Sequence, residues 1–185
     1  MITAKQLVDY AKTMLGKQYW YGTYGQAATE ALLKSKSKQY PKYYNPDNYK
    51  KGWECNGESV FDCCGLIKGA VWSKGNPENT PVYNSNEDRS ANGMYEKATE
   101  KGQITTIPEI PGICVRYDGH VGIYIGNGDV IEARGHDWGV VQTKLKNRKW
   151  TDWYKCDLIE YPKENTINVT VIVDGKTYNG NIKEV

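Results

Sequence analysis

Three residues whose types can share thiol chemistry stand at telling points of the chain. Cys63 lies in Phe61-Asp62-Cys63-Cys64-Gly65-Leu66, where Leu66, Ile67, Ala70 and Val71 recur at helical spacing and Asp62 is placed as N-cap. A cysteine in the first turn of a helix meets the positive end of the macrodipole and unpaired N–H groups. Both favour thiolate, the nucleophilic form. Taken alone, such a residue is more often a small buried hydrophobe.

His120, one of two histidines, opens His120-Val121-Gly122-Ile123-Tyr124-Ile125, which leads through Gly126-Asn127-Gly128 to a return strand, Asp129 to Arg134. A two-residue turn at Asn127-Gly128 would set Glu132 opposite Ile123, a charge among aliphatics. A three-residue turn pairs Ile125 with Asp129 and Glu132 with Gly122. That register predicts Val121, Ile123, Ile131 and Ala133 on one face and His120, Tyr124, Glu132 and Arg134 on the other. Glu132 is then diagonal to His120, with Gly122 leaving space for the ring. A carboxylate there orients an imidazole and stabilises its charged form, as in a Cys-His-acid arrangement. On the strand alone, a surface His–Glu pair is the plainer reading.

The elements that must position these groups change character along the chain. Thr3 to Gly16 has a capping box (Thr3, Gln6) and an apolar stripe of Leu7, Tyr10, Ala11, Met14 and Leu15, which predicts a helix. Further helices are expected over Ala27 to Ser37, from Asp62 to Ser73, and over Ala91 to Lys101, closed by Gly102. Lys38 to Cys55 carries Tyr40, Tyr43, Tyr44, Tyr49 and Trp53 among Lys, Asn and Pro, and predicts an ordered loop at a surface. From Ile113 the period becomes two, with strands expected at Ile113–Tyr117, His120–Ile125, Asp129–Arg134, Val140–Leu145 and Asp157–Tyr161. Thr166 to Val173 and Thr177 to Lys183 flank Asp174-Gly175, a hairpin signal. Helices first and antiparallel strands after predict an α+β fold.

Composition narrows the function. In 185 residues Lys+Arg number 24 and Asp+Glu 22, a balance poor in the basic excess that phosphate binding uses, so no nucleic-acid partner is expected. No apolar run reaches 18 residues, so no membrane span is expected. Tyr 15 and Trp 6 against Phe 1 favour half-wet grooves that hold polar ligands. Five cysteines at irregular spacing, Cys63 and Cys64 adjacent, do not form a disulfide framework.

Together these residues resemble a known family, the NlpC/P60 cysteine peptidases. Asp62-Cys63-Cys64-Gly65-Leu66 looks like its Asp-Cys-Ser-Gly signature, and Gly119 to Gly128 looks like its histidine strand. Glu132 stands at its third polar position. Tyr19-Trp20-Tyr21-Gly22 resembles an upstream segment whose first tyrosine borders the nucleophile. The resemblance runs from about Leu7 to Tyr161. It implies a papain-like fold, with residues 1–162 catalytic, an aromatic-rich insertion at about 24–60 and a hairpin extension at 163–185.

It further implies cleavage of peptidoglycan stem peptides, typically between γ-D-glutamyl and a diamino acid, with no cofactor. Cys63, His120, Glu132 and Tyr19 would be catalytic, and Asp62, Cys64, Tyr21, Arg134, Trp53 and His136 would meet substrate. Ile131 to Gly135 with Gly139-Val140-Val141 looks like the versions in phage lysins. The N-terminal residues show no secretory signal, so a cytosolic product reaching the wall through lesions or lysis is expected.

The departures are specific. The third polar residue is usually His, and a charged Glu132 should raise the imidazole pKa. Cys64 replaces a serine, so two thiols compete; Cys63 is preferred because it follows the aspartate, and Cys64, about 100° around the helix, should point elsewhere. Rival readings are an N-acetylmuramoyl-L-alanine amidase or acyltransferase on the same pair, a non-catalytic wall-binding module, and a zinc site of Cys55, Cys63, Cys64 and His120, for which no Cys-x-x-Cys exists. Oligomeric state is open, with a monomer as the simplest expectation.

Overall fold

The computed structural model describes residues 1–162, 166–174 and 176–183. Helix α1 (Ala4–Thr13) begins with the expected capping box: the Thr3 hydroxyl accepts from the Gln6 N–H, and the Gln6 side chain accepts from the Thr3 N–H. Its buried stripe of Leu7, Val8, Tyr10 and Ala11 packs beside α3 (Cys63–Trp72), which is apolar nearly all round because it lies between α1 and the sheet.

Six antiparallel strands form that sheet, in the order β4 (Glu100–Gln103), β9 (Asp152–Lys155), β5 (Cys114–Tyr117), β6 (His120–Gly126), β7 (Asp129–Gly135) and β8 (Gly139–Lys144). Period-two alternation divides its side chains. Val121, Ile123, Ile131 and Ala133 join the helices in the main core, whereas Val115, Tyr124, Val130, Trp150 and Trp153 build a second cluster. Helices on an antiparallel sheet make the fold α+β.

The β6–β7 hairpin combines both registers considered for it. Ile123 pairs with Ile131 and Tyr124 with Val130, as the three-residue turn requires, yet Gly126 pairs with Asp129 across a two-residue turn. Asn127 (φ 54°) and Gly128 (φ 72°) are both left-handed, the conformation that suits a tight hairpin turn. A bulge between Tyr124 and Gly126 absorbs the extra residue and keeps Glu132 on the His120 face. The space at Gly122 serves another ring: a Cβ there would lie 3.0 Å from Trp150 and 2.7 Å from Val130, so the missing side chain admits indole, not imidazole.

Several boundaries differ from the sequence expectation. The helix expected over Ala27 to Ser37 is α2 (Glu30–Gln39), capped by Thr29, and the residues before it form β2 (Tyr24–Ala27). That strand pairs with β3 (Ser59–Phe61), a long-range partner that local pattern cannot reveal. The helix expected to reach Lys101 ends as α4 (Ala91–Lys97), and the chain turns into β4 against β9. Gly102 is there for close packing, since a Cβ would meet Trp153 Nε1 at 2.9 Å. The strand expected at Asp157–Tyr161 shrinks to β10 (Ile159–Glu160), paired in parallel with β1 (Ile2–Thr3).

The segment Lys38 to Cys55 holds two short 3-10 turns, Pro41–Tyr43 and Pro46–Asn48. Its rings form a third cluster in which Trp20, Ala28, Tyr44 and Val60 are buried, with Tyr21, Leu32, Leu33, Tyr40 and Trp53 packed around them. Towards the C-terminus, β11 (Thr166–Val173) and β12 (Lys176–Lys183) pair in the expected antiparallel register; Gly175 of the anticipated turn lies outside the described residues. Among the described residues no helix is long and apolar enough to cross a membrane.

Candidate active site

Cys63 is the first residue of α3, and its placement depends on Asp62. One Asp62 oxygen accepts from the Gly65 N–H at 2.6 Å, closing the cap, and the other accepts from the Gly22 N–H at 2.9 Å. A cap of this kind contributes about 1 kcal/mol to a helix. The second bond also ties the segment Tyr19 to Gly22 alongside the helix start. Gly65 permits that approach, because a Cβ there would fall 1.8 Å from the Thr23 carbonyl oxygen. Burial raises Asp62 to about 7, with the Cys63 charge adding to the rise and Lys68 and the two backbone N–H groups opposing it.

The two adjacent sulfurs do not diverge as expected. Cys63 Sγ and Cys64 Sγ are 3.9 Å apart. The interaction with Cys64 pulls the Cys63 thiol well below its ordinary value; burial opposes this, and the hydrogen bond and charge of His120 add to it. Cys64 is driven the opposite way, first by the same interaction and then by burial. Because His120 acts on Cys63, the arrangement favours the thiolate there, and the Cys64 S–H can donate to it.

His120 is the first residue of β6, at the sheet end that α3 abuts. Its Nε2 lies 2.8 Å from Glu132 Oε2, which leaves Nδ1 for the thiolate. Burial opposes a charge on the ring, but Cys63 and Glu132 outweigh it and push His120 up to about 9. At neutral pH the pair is thiolate and imidazolium.

Glu132 is fully buried yet ionised. Burial raises its pKa, and His120, Arg148 and Thr143 more than reverse that rise. Arg148 donates from Nε at 2.7 Å and Nη2 at 2.9 Å, and the Thr143 hydroxyl donates at 2.8 Å. Every lone-pair direction of the carboxylate facing the protein is thus engaged. Tyr117 and Trp150 stack on the His120 ring at centroid distances of 5.0 and 5.6 Å, restricting its rotation.

Asp62, Cys63 and Cys64 open on a polar cleft of about 880 Å³, lined also by Tyr19 and Tyr21. Lys36, Gln39, Tyr40 and Tyr43, from α2 and the turn after it, also line the cleft, as do Lys68 and Asp88 to Asn92. Burial, then the Cys63 charge, holds the Tyr19 phenol far above its ordinary value, so it is a neutral hydroxyl that can donate.

Three residues expected at the substrate stand elsewhere. Trp53 packs on Tyr44 and Tyr49, and its ring is 4.3 Å from His136. His136 faces two backbone carbonyls, Lys51 at 2.7 Å and Tyr19 at 3.3 Å, so it supports the Tyr19 segment from behind. Arg134 lies over the exposed Trp138 ring at 3.8 Å. The segment from Lys38 to Cys55 therefore divides its work: Tyr40 and Tyr43 line the cleft, while Tyr44, Tyr49 and Trp53 pack.

Sequence reasoning did not reach Arg148, Thr143, Tyr117 or Trp150. Arg148 and Trp150 follow a 3-10 turn, Leu145–Asn147, where no strand period remains to place them. Tyr117 had a readable signal, since a two-residue turn at Asp118-Gly119 sets it opposite His120. The four residues weighed as a zinc set are not assembled: among the described residues the cluster of metal-type ligands is Asp62, Cys63 and Cys64, and Cys55 is exposed. Both Asp62 oxygens there already accept N–H bonds.

The family model for NlpC/P60 matches residues 48–159, more than half of the chain, and the protein belongs to the NlpC/P60 family. Its α+β fold is the papain-like fold of that family. Among solved structures it is similar to the peptidoglycan hydrolase RipB of Mycobacterium tuberculosis, at 21% identity over 85% of this chain and 67% of that one, TM-score 0.47. It is also similar to the P60 domain of antigen MAP1204 of M. avium subspecies paratuberculosis, at 20% identity over 85% and 98%, TM-score 0.47. NlpC1 of Trichomonas vaginalis matches at 19% identity, TM-score 0.46, over 82% of this chain, which spans 45% of the NlpC1 structure. A search among curated proteins finds no match.

Proposed function

We propose that the protein is a peptidoglycan hydrolase, a cysteine peptidase that cuts stem peptides at the bond between γ-D-glutamyl and the following diamino acid. Family membership supports the class of reaction. The observation that carries the chemistry is the buried chain Cys63, His120, Glu132 and Arg148 opening on a polar cleft.

The Cys63 thiolate attacks the γ-carbonyl carbon, forming a C–S bond and an oxyanion. Tyr19, beside the thiolate, is the side chain placed to donate to that oxygen. As the tetrahedral species collapses, the C–N bond breaks and His120 delivers its proton to the departing amine. A water molecule then attacks the thioester while His120 takes its proton. The peptide leaves as a carboxylic acid and the thiolate is restored. Glu132, held by Arg148 and Thr143, keeps Nε2 occupied so that Nδ1 remains on the reaction side.

The test is mass spectrometry of purified muropeptides digested with wild type and with Cys63→Ala. The reading expects fragments ending in γ-D-glutamate from wild type alone. Release of intact stem peptides from muramic acid would instead identify an amidase, and no product would sink the hydrolase reading.

A further inference from the structure

The charges lining the cleft are matched with one exception. Lys68 Nζ is 2.6 Å from Asp88 Oδ1, and the other Asp88 oxygen accepts from the Tyr83 hydroxyl at 3.0 Å. Arg89 Nη1 reaches both oxygens of Asp157 at 2.7 Å. Asp62 is satisfied by two backbone N–H groups, and the His120 charge by Glu132 and the thiolate. Lys36, contributed by α2 of the insertion, forms no ion pair with a described residue. Its ammonium has a long contact to Gln39 Oε1, 3.4 Å, and lies 5.7 Å from the Tyr40 ring centroid. It is partly buried in the cleft wall, and that burial outweighs the attraction of Asp62 and Asp88, neither of which pairs with it, so the ammonium has no ion-pair partner at contact distance.

The proposed substrate supplies the missing anion. A γ-linkage uses the side-chain carboxyl of D-glutamate and leaves the α-carboxylate free, on the residue whose carbonyl is attacked. That carboxylate enters a cleft whose nucleophile is an anion, so a cation on the same cleft wall, not engaged in an ion pair, offsets the repulsion.

We propose that Lys36 is a specificity residue that binds the free α-carboxylate of the γ-D-glutamyl unit, so that the insertion selects stem peptides bearing the acid over those in which it is amidated. The inference rests on the stem-peptide reading above and names the group that sets its selectivity. Tyr40 and Tyr43, on the same wall, limit the water around the pair.

The test uses the full chain with Cys63→Ala, which binds without turnover. Calorimetric titration compares a γ-D-glutamyl-diamino acid stem tetrapeptide with its α-carboxamide. The acid should bind about tenfold more tightly, the scale of one charge-assisted contact. Adding Lys36→Gln should remove the difference, and Lys36→Arg should restore it. In the active enzyme Lys36→Gln should raise KM for the acid with little change in kcat. Circular dichroism checks that each variant is folded. Retained discrimination in Lys36→Gln, or no binding of either peptide, would overturn the proposal. Selective binding by the Cys63→Ala chain, with no hydrolysis by wild type, would leave it standing and remove the hydrolase reading instead.

Discussion

The two histidines sit in similar surroundings and do different work. Each is flanked by a tyrosine and a tryptophan: Tyr117 and Trp150 for His120, Tyr49 and Trp53 for His136. The rings that pack them therefore do not decide their roles; the groups at their nitrogens do. His120 meets a buried carboxylate on one side and a thiol on the other, so its charge and the thiolate stabilise each other. His136 meets two backbone carbonyls, which orient the ring and fasten the segment around Lys51 behind Tyr19. An aromatic cage makes an imidazole rigid, and only a titrating partner makes it reactive.

The sharpest way to break this comparison is to remove each ring. Cys63→Ala and His120→Ala should each lower muropeptide release to background, whereas His136→Ala should keep most of it and lose thermal stability instead. If His136→Ala abolished turnover at matched folding and His120→Ala did not, the assignment would be inverted.

Glu132→Gln tests the partner and spares the ring. The shape stays, but a neutral amide stabilises imidazolium poorly, and kcat/KM should fall at least about a hundredfold. The effect should also appear against pH. In wild type, activity requires a protonated His120, so the alkaline limb should lie near 9. In Glu132→Gln that limb should move down towards the ordinary histidine value of 6.5. The same shift has a stability consequence: a group raised on folding stabilises fully below its unfolded value and loses that contribution as pH rises through about 9. The gap between the melting temperatures of the two proteins should therefore narrow from about pH 6 to about pH 10 without closing, because the Glu132–Arg148 pair persists at alkaline pH. An alkaline limb unmoved by the substitution would separate Glu132 from the histidine's titration.

Trp53→Ala addresses the other cage. It removes contacts to Tyr44, Tyr49 and His136, and should lower stability by about 2 kcal/mol, read by urea unfolding, while kcat changes severalfold at most. Deleting the whole segment from Lys38 to Trp53 should cost far more, since it uncovers Trp20 and Val60, both fully buried. A deletion that left stability intact would show the cluster to be dispensable.

The smallest effect is expected at Cys64. A serine hydroxyl can replace the thiol as donor to Cys63, so Cys64→Ser should keep activity within about tenfold. Cys64→Ala should shift the acid limb upward, because the thiolate loses a donor. Iodoacetamide alkylation rates against pH would measure that limb directly. Loss of activity in Cys64→Ser with retention in Cys63→Ala would move the nucleophile by one residue.

Much of the site was legible because its signals are local. A cap residue before an apolar helix locates Cys63, and alternation along two neighbouring strands brings Glu132 to His120. What was illegible came from distant segments. Gly122 was read as space for imidazole, when the ring that fills it, Trp150, arrives from beyond β8. The sulfurs of Cys63 and Cys64 were expected to diverge on helical geometry alone, and rotamers set by packing bring them to 3.9 Å.

By itself the sequence determined which residues could react and on which elements they ride, since caps, periods and turn residues act within a few positions of the chain. Only the tertiary structure decided the protonation states and the wall of the cleft. Those depend on burial and on groups brought together from far apart, Arg148 onto Glu132 and Lys36 of α2 into the wall of the cleft that Cys63 lines. Electrostatic energy in a low-dielectric interior follows distance in space, and separation along the chain does not report it.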